Sequence, residues 1–377
     1  MNLSYFHFDL PAELIAQRPL AQRDASRMLV LDRAAGAFED RHFREFPDLL
    51  RGDELIILNN ARVLPARLFG RRAGIHATPP GKENPERAQH LTTEIEVLLV
   101  RPLPSNEGPR WEALVKPGRK IPVGESIVFG ANADAPELTA HVEDRGDFGL
   151  RVLRFEHSAA TTFHDAVARL GHIPLPPYIK RDDDASDRDR YQTVYARPQE
   201  PTAVAAPTAG LHFTPEILSR IKARGCEIAE VTLDVGLGTF EPVRTEILED
   251  HKIHSESYEI SAQTAAAITR AKAAKRPILA VGTTVVRTLE DAAEKSASQH
   301  NAPKPVTPGR AEASIFLYPG KPIRVVDQLL TNFHLPESSL VALVATLTGR
   351  EHILRAYRHA VAERYRFYSY GDCMFVR

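Results

Sequence analysis

The sequence predicts an α/β protein, with a mixed α/β main domain carrying a small inserted β-barrel. Three observations lead there. At 377 residues the chain is longer than one hydrophobic core ordinarily supports. Between about Arg67 and Phe155, short apolar runs recur between Gly, Pro and Asp, the pattern of short strands and frequent turns in a small barrel. On either side, strand-like runs alternate with amphipathic helical spacing, as in layered α/β folds. The expected division is 1–66 and 158–377 for the main domain and 67–157 for the barrel.

The elements follow in chain order. Glu54 to Leu58 reads as a strand of the first flank. Glu94 to Val100, Trp111 to Val115, Ser126 to Phe129, Leu138 to Glu143 and Leu150 to Phe155 read as barrel strands. In the second flank, Thr214 suits a helix N-cap and Pro215 the first helical position. The apolar spacing Ile217, Leu218, Ile221 follows, and Gly225 stands where the helix should stop. Strands are expected at Glu227 to Leu233 and Pro277 to Val281. The second runs through Gly282-Thr283-Thr284 into a helix with Val285, Val286, Leu289 and Ala293 on its apolar face. A last apolar helix starts near Leu340, capped by Ser338 or Ser339. Residues 77–93 and 296–309, rich in Pro and small residues, read as insertions.

Composition narrows the function. A net charge of −1 argues against a non-specific nucleic-acid coat, though local arginine clusters are present near the start and the end. No apolar run approaches the ~20 residues of a membrane helix, and the N-terminus lacks a signal region, so a cytoplasmic protein is expected. Cys226 and Cys373 are too few for a disulfide framework and read as buried free thiols.

Several segments carry chemistry. Pro207 to Pro215 places a Thr-Ala-Gly turn and His212 directly before a helix start, a suitable place to hold a ligand. Gly282-Thr283-Thr284 puts backbone N–H groups and hydroxyls at a strand-to-helix turn, although on this feature alone plain capping is the better account of the threonines. Gly236-Leu237-Gly238-Thr239-Phe240 lacks the third glycine of a dinucleotide fingerprint. It still offers close backbone approach and a ring for stacking. His254 and Glu256 alternate onto one face of a strand, which suits acid–base work better than a metal. Asn332-Phe333-His334 precedes a Pro-containing turn and a helix, much as His212 does. The serines nearby belong to no nucleophile elbow.

With these segments in view, the chain resembles the S-adenosylmethionine:tRNA ribosyltransferase-isomerase family of queuosine biosynthesis. The resemblance runs from end to end. It rests on Phe8-Asp9-Leu10-Pro11, Leu58-Asn59-Asn60-Ala61-Arg62-Val63, Tyr191-Gln192-Thr193-Val194-Tyr195, Pro207 to Thr214 and Gly236 to Phe240. It continues through His254-Ser255-Glu256, Val281-Gly282-Thr283-Thr284 with Arg287, Thr331 to Pro336 and Tyr368-Ser369-Tyr370-Gly371-Asp372. Ala61 and Ile253 depart from the expected threonine and methionine without altering an ionisable group.

The resemblance implies transfer and isomerisation of the ribosyl part of S-adenosylmethionine onto 7-aminomethyl-7-deazaguanine at the tRNA wobble position. Epoxyqueuosine would form, with adenine and methionine released. S-adenosylmethionine is then a consumed substrate, and neither cofactor nor metal is expected. The implied proton-transfer residues are His212, His334, His254 and Glu256. Thr208, Gly210, Thr283 and Thr284 would cradle the substrate, with Gly238, Thr239 and Asn332 in the same pocket. Arg287 would pair with the methionine carboxylate, and Phe213, Phe240 or Phe333 would stack on a base. Arg62, Lys180, Arg181 and Arg366 would contact tRNA phosphates, and the protein is expected to be a monomer. Two other readings compete: a metal-dependent hydrolase using His251, His254, His334 and Glu256, and a non-catalytic RNA-binding module built on the barrel.

Overall fold

In the computed structural model, residues 1–73, 93–118, 121–131, 135–159, 161–197, 203–236, 245–251, 255–299 and 304–377 are described. The first flank supplies β1 (Arg27–Asp32), β2 (Ala37–His42) and β3 (Leu55–Asn59). Six strands then close a barrel: β4 (Arg67–Arg72), β5 (Ile95–Leu103), β6 (Arg110–Lys116), β7 (Ser126–Phe129), β8 (Leu138–Arg145) and β9 (Leu150–His157). The second flank adds β10 (Glu227–Leu233), β11 (Glu256–Ile260), β12 (Ile278–Val281), β13 (Gly309–Ala313), β14 (Gln328–Asn332) and β15 (Cys373–Val376). The expected mixed α/β fold with an inserted barrel is therefore the one found, with four of the barrel strands two residues longer than their expected runs.

Barrel strands pair in the order β4-β5-β6-β9-β8-β7. Every second residue points inward, so Ile95, Val97 and Leu99 of β5 face Trp111, Ala113 and Val115 of β6 in a separate core. The Phe163–Leu170 helix, opened by a Thr162–Asp165 capping box, packs Phe163 against Trp111 and Phe155.

The main sheet has the order β13-β11-β10-β3-β12-β14-β15-β1-β2. Its centre, β10, β3, β12 and β14, is parallel. All five residues of β3 and all four of β12 are buried, as a sheet covered on both faces requires. Leu55 and Ile57 join the core under the Ala262–Ala273 and Thr283–Gln299 helices. Ile56 and Leu58 join Phe213, Ile217 and Ile221 on the other face, where the Pro215–Ala223 helix lies. That helix begins as expected: the Thr214 hydroxyl accepts from Ile217 N, and Gly225 follows in the left-handed region. Ser338, rather than Ser339, caps the Ser339–Thr348 helix.

Strand direction builds the site. β3, β10, β12 and β14 all end at one edge of the sheet. The antiparallel neighbours β11 and β15, and β1 beside β15, begin there. Residues scattered over the chain thus meet along the carboxyl edge, where open α/β sheets place ligands.

Candidate active site

The Thr208–His212 segment forms a 3-10 turn against this edge. His212 is buried beside the Phe43 ring, with centroids 5.3 Å apart. The Asn332 amide fixes its tautomer. Asn332 Nδ2 donates to the carbonyls of Tyr368 (2.9 Å) and Ser369 (3.2 Å), which leaves Oδ1 to accept from His212 Nε2 at 2.9 Å. His212 Nδ1 then accepts the Ser26 hydroxyl proton at 2.9 Å. Burial, helped by the nearby Arg366 and Arg23 charges and opposed by the Asn332 bond, pushes the imidazole down to about 4. His212 is therefore a neutral, doubly bonded brace between the turn and β14.

Next to it lies a cleft of about 550 Å³, lined by Thr208, Thr283, Thr284, Asn332, Phe333 and His334 among others. β12 enters this wall through Gly282, whose φ of +94° an L side chain rarely adopts, and the Thr283–Gln299 helix starts at once. His334 holds Thr331 Oγ1 with Nε2 at 3.0 Å, its main-chain N–H donates to the Tyr357 hydroxyl, and burial lowers its imidazole to about 3. Phe333 lines the cleft but has its ring in the core against Tyr357, Tyr365 and Phe367. Phe213 is likewise core, packed on Phe43, Phe46 and Tyr195. Gly210 is needed for packing: a Cβ there would lie 2.0 Å from the Tyr195 hydroxyl oxygen.

Glu256 opens β11 on the other side of β10. One carboxylate oxygen accepts from Gly236 N at 3.1 Å, and the other is held by the Arg287 guanidinium. Arg287 also donates to the Ala313 carbonyl. Both side chains are buried, so this ion pair ties β11 and β13 to the helix after β12. Arg287 thus reaches Glu256 rather than the cleft. Glu256 also lines a larger gap between the barrel and the sheet, together with Glu112, Arg197, Asp234, Arg310 and Glu312. Val235 belongs to the first cleft while Asp234 and Gly236 belong to the gap, so a single strand end separates the two. Gly238, Thr239, Phe240 and His254 lie outside the described residues, as do most of the 77–93 stretch and residues 300–303. Among the described residues, no three His, Cys, Asp or Glu side chains gather as a metal site.

A sequence profile of the family described as "Queuosine biosynthesis protein" matches residues 3–376 of this chain. The chain belongs to the queuosine biosynthesis protein family. It is 51% identical over 376 residues to the S-adenosylmethionine:tRNA ribosyltransferase-isomerase of Solibacter usitatus, with 100% of each chain covered. The corresponding protein of Symbiobacterium thermophilum is 46% identical, again with 100% of each chain covered. The crystal structure of S-adenosylmethionine tRNA ribosyltransferase from Thermotoga maritima is similar at 32% identity and a TM-score of 0.51, covering 99% of this chain and 100% of that one.

In this member of the queuosine biosynthesis family, the four arginine and lysine positions differ in surroundings. Arg62 and Lys180 are exposed. Arg181 is bound by both oxygens of buried Asp187, which also accepts the Tyr370 hydroxyl proton. Arg366 is half-buried and donates to the Arg18 carbonyl. These last two knit the Tyr368–Asp372 segment to the fold. Sequence reasoning singles out none of Tyr368, Ser369, Tyr178 and Ser26 for a role of its own, yet all four stand at the site. Tyr368 lines the cleft with a φ of +75°, and its ring meets that of Tyr178 edge-on at 3.8 Å. The Tyr178 and Ser369 hydroxyls are hydrogen-bonded to each other. The available signal is the Tyr-Ser-Tyr-Gly-Asp motif, which has no recognisable chemistry until the fold brings it beside Asn332.

Proposed function

We propose that this protein is an S-adenosylmethionine:tRNA ribosyltransferase-isomerase of queuosine biosynthesis. In this reading it moves the ribosyl part of S-adenosylmethionine onto 7-aminomethyl-7-deazaguanine in the tRNA anticodon, giving epoxyqueuosine, adenine and methionine. The observation that carries the proposal is the end-to-end identity of 51% with the Solibacter usitatus enzyme of that name. The carboxyl-edge cleft supports it, because polar groups converge on it from several segments. The adjoining gap, walled by barrel and sheet, offers room for a base taken out of its stack. We propose further that it acts in the cytoplasm, as a tRNA substrate suits, and as a monomer.

The roles of the residues follow from their surroundings. The sulfonium acidifies the adjacent ribose C5′–H, and a base must remove that proton in a site sheltered from water. His334, which lines the cleft, is the better candidate of the two buried histidines. It is neutral, and its Nδ1 has no partner among the described residues, whereas both His212 nitrogens are engaged. His212 serves instead to position the Asn332 amide and the Tyr368–Ser369 turn. The test is to incubate the protein with S-adenosylmethionine and tRNA bearing 7-aminomethyl-7-deazaguanine, then analyse nucleosides and free adenine by mass spectrometry. Folded protein that yields neither epoxyqueuosine nor adenine would overturn the assignment.

A further inference from the structure

The cleft beside β12 is distinguished by what lines it. Among the described residues, no Asp, Glu, Lys or Arg side chain contributes to its wall. His334 is held neutral by burial, and burial also raises the Tyr368 hydroxyl to about 12. Ionic groups brought here would lose hydration without meeting a counter-charge. Arg287, the nearest guanidinium along the same helix, is bound to Glu256 and Ala313.

Polar donors are nevertheless waiting. The main-chain N–H groups of Thr283 and Thr284 open a 17-residue helix and have no partner among the described residues. Thr284 Oγ1, on a residue 9% exposed, is also buried without a hydrogen-bond partner. An orphaned hydroxyl in such a place costs stability unless something else bonds to it. Tyr178 and Tyr368 line the same cleft, their rings in edge-on contact as an aromatic wall.

Resting on the ribosyltransferase reading, we infer that this cleft seats the adenine ring of S-adenosylmethionine, against the start of the Thr283–Gln299 helix and the Tyr178–Tyr368 wall. Adenine is the flat, uncharged part of that substrate. Its ring nitrogens match the two free N–H groups, and the Thr284 hydroxyl can donate to the ring or accept from the exocyclic amine. The methionyl end is a zwitterion beside a sulfonium, and the deazaguanine carries an aminomethyl ammonium. Both suit the neighbouring gap, where Asp234, Glu259 and Glu312 stand.

Calorimetric titration of the full chain with free adenine, L-methionine and 7-aminomethyl-7-deazaguanine tests this. Thr284→Val removes the hydroxyl while keeping shape, and should weaken adenine binding about tenfold, one charge-free hydrogen bond's worth. Thr284→Ser should restore it, and methionine binding should be unchanged. Tyr368→Leu should weaken adenine independently, so the inference stays testable if the threonine variant fails to fold. Unchanged adenine affinity in Thr284→Val and Tyr368→Leu overturns it. So does a loss that falls on methionine or the deazaguanine instead. A wild-type protein that releases adenine from S-adenosylmethionine yet binds none overturns the placement alone. Hydroxyl-dependent adenine binding without any turnover overturns the reaction and leaves the placement standing.

Discussion

His212 is uncharged across the physiological range, because burial holds its imidazole at about 4 against an unfolded value near 6.5. Between those two values the unfolded chain binds the extra proton, so His212's contribution to stability is complete near neutrality and is lost on acidification. His212→Gln should therefore cost about 1–3 kcal/mol at neutral pH, since Ser26 or Asn332 loses a buried partner. The gap between wild type and variant should narrow as the pH falls from about 7 towards 5. Urea midpoints across that range check this; a gap independent of pH would contradict the neutral brace. Asp372 and Glu290, raised by burial, titrate in the opposite sense, but they do so in both proteins and cancel from the difference. The sequence marks His212 as exceptional and cannot say why. A histidine before a helix looks the same whether its nitrogens face substrate or, as here, Ser26 and Asn332, residues 186 and 120 positions away.

Elements are the most legible scale. Thr214-Pro215 announces a helix start through local chemistry alone, and the structure repeats it bond for bond. Gly210 shows where local chemistry stops. Its freedom of backbone reads as room for a ligand, yet the room is taken by the Tyr195 hydroxyl and the Thr193 methyl. Gly210→Ala should accordingly destabilise by about 1–3 kcal/mol or more through overpacking of the 3-10 turn. Differential scanning calorimetry would register it as a lower Tm. A variant as stable as wild type would mean that the turn does not pack so tightly on Tyr195. The order of the main sheet is beyond reach for a related reason. Asn59 illustrates it: the end of β3 is fastened to β10 by the Asn59 amide, which bonds both the N–H and the carbonyl of Leu233. No window of sequence contains both partners.

For the whole molecule, the arrangement of charge decides how an RNA would be met. Arg181 and Arg366 are consumed by the protein's own architecture, while Arg62 follows β3 at the carboxyl edge and Lys180 follows Tyr178 of the cleft wall. Substituting both exposed residues by alanine should weaken tRNA binding. It should also flatten the salt dependence by about 0.7–0.9 in logarithmic slope for each phosphate no longer neutralised. Filter binding between about 50 and 200 mM salt reads this directly. An unchanged slope would place the RNA elsewhere. A different consequence follows from β15. This strand, Cys373–Val376, follows every other strand in the chain yet sits between β14 and β1, wholly buried. Until it docks, the β1–β2 hairpin has no sheet to join, and Tyr368 and Ser369 have no fixed seat beside Asn332. A chain cut short before β15 should therefore leave the cleft beside β12 without its Tyr368–Ser369 wall. Under the proposed function, completion of β15 is then the condition for turnover.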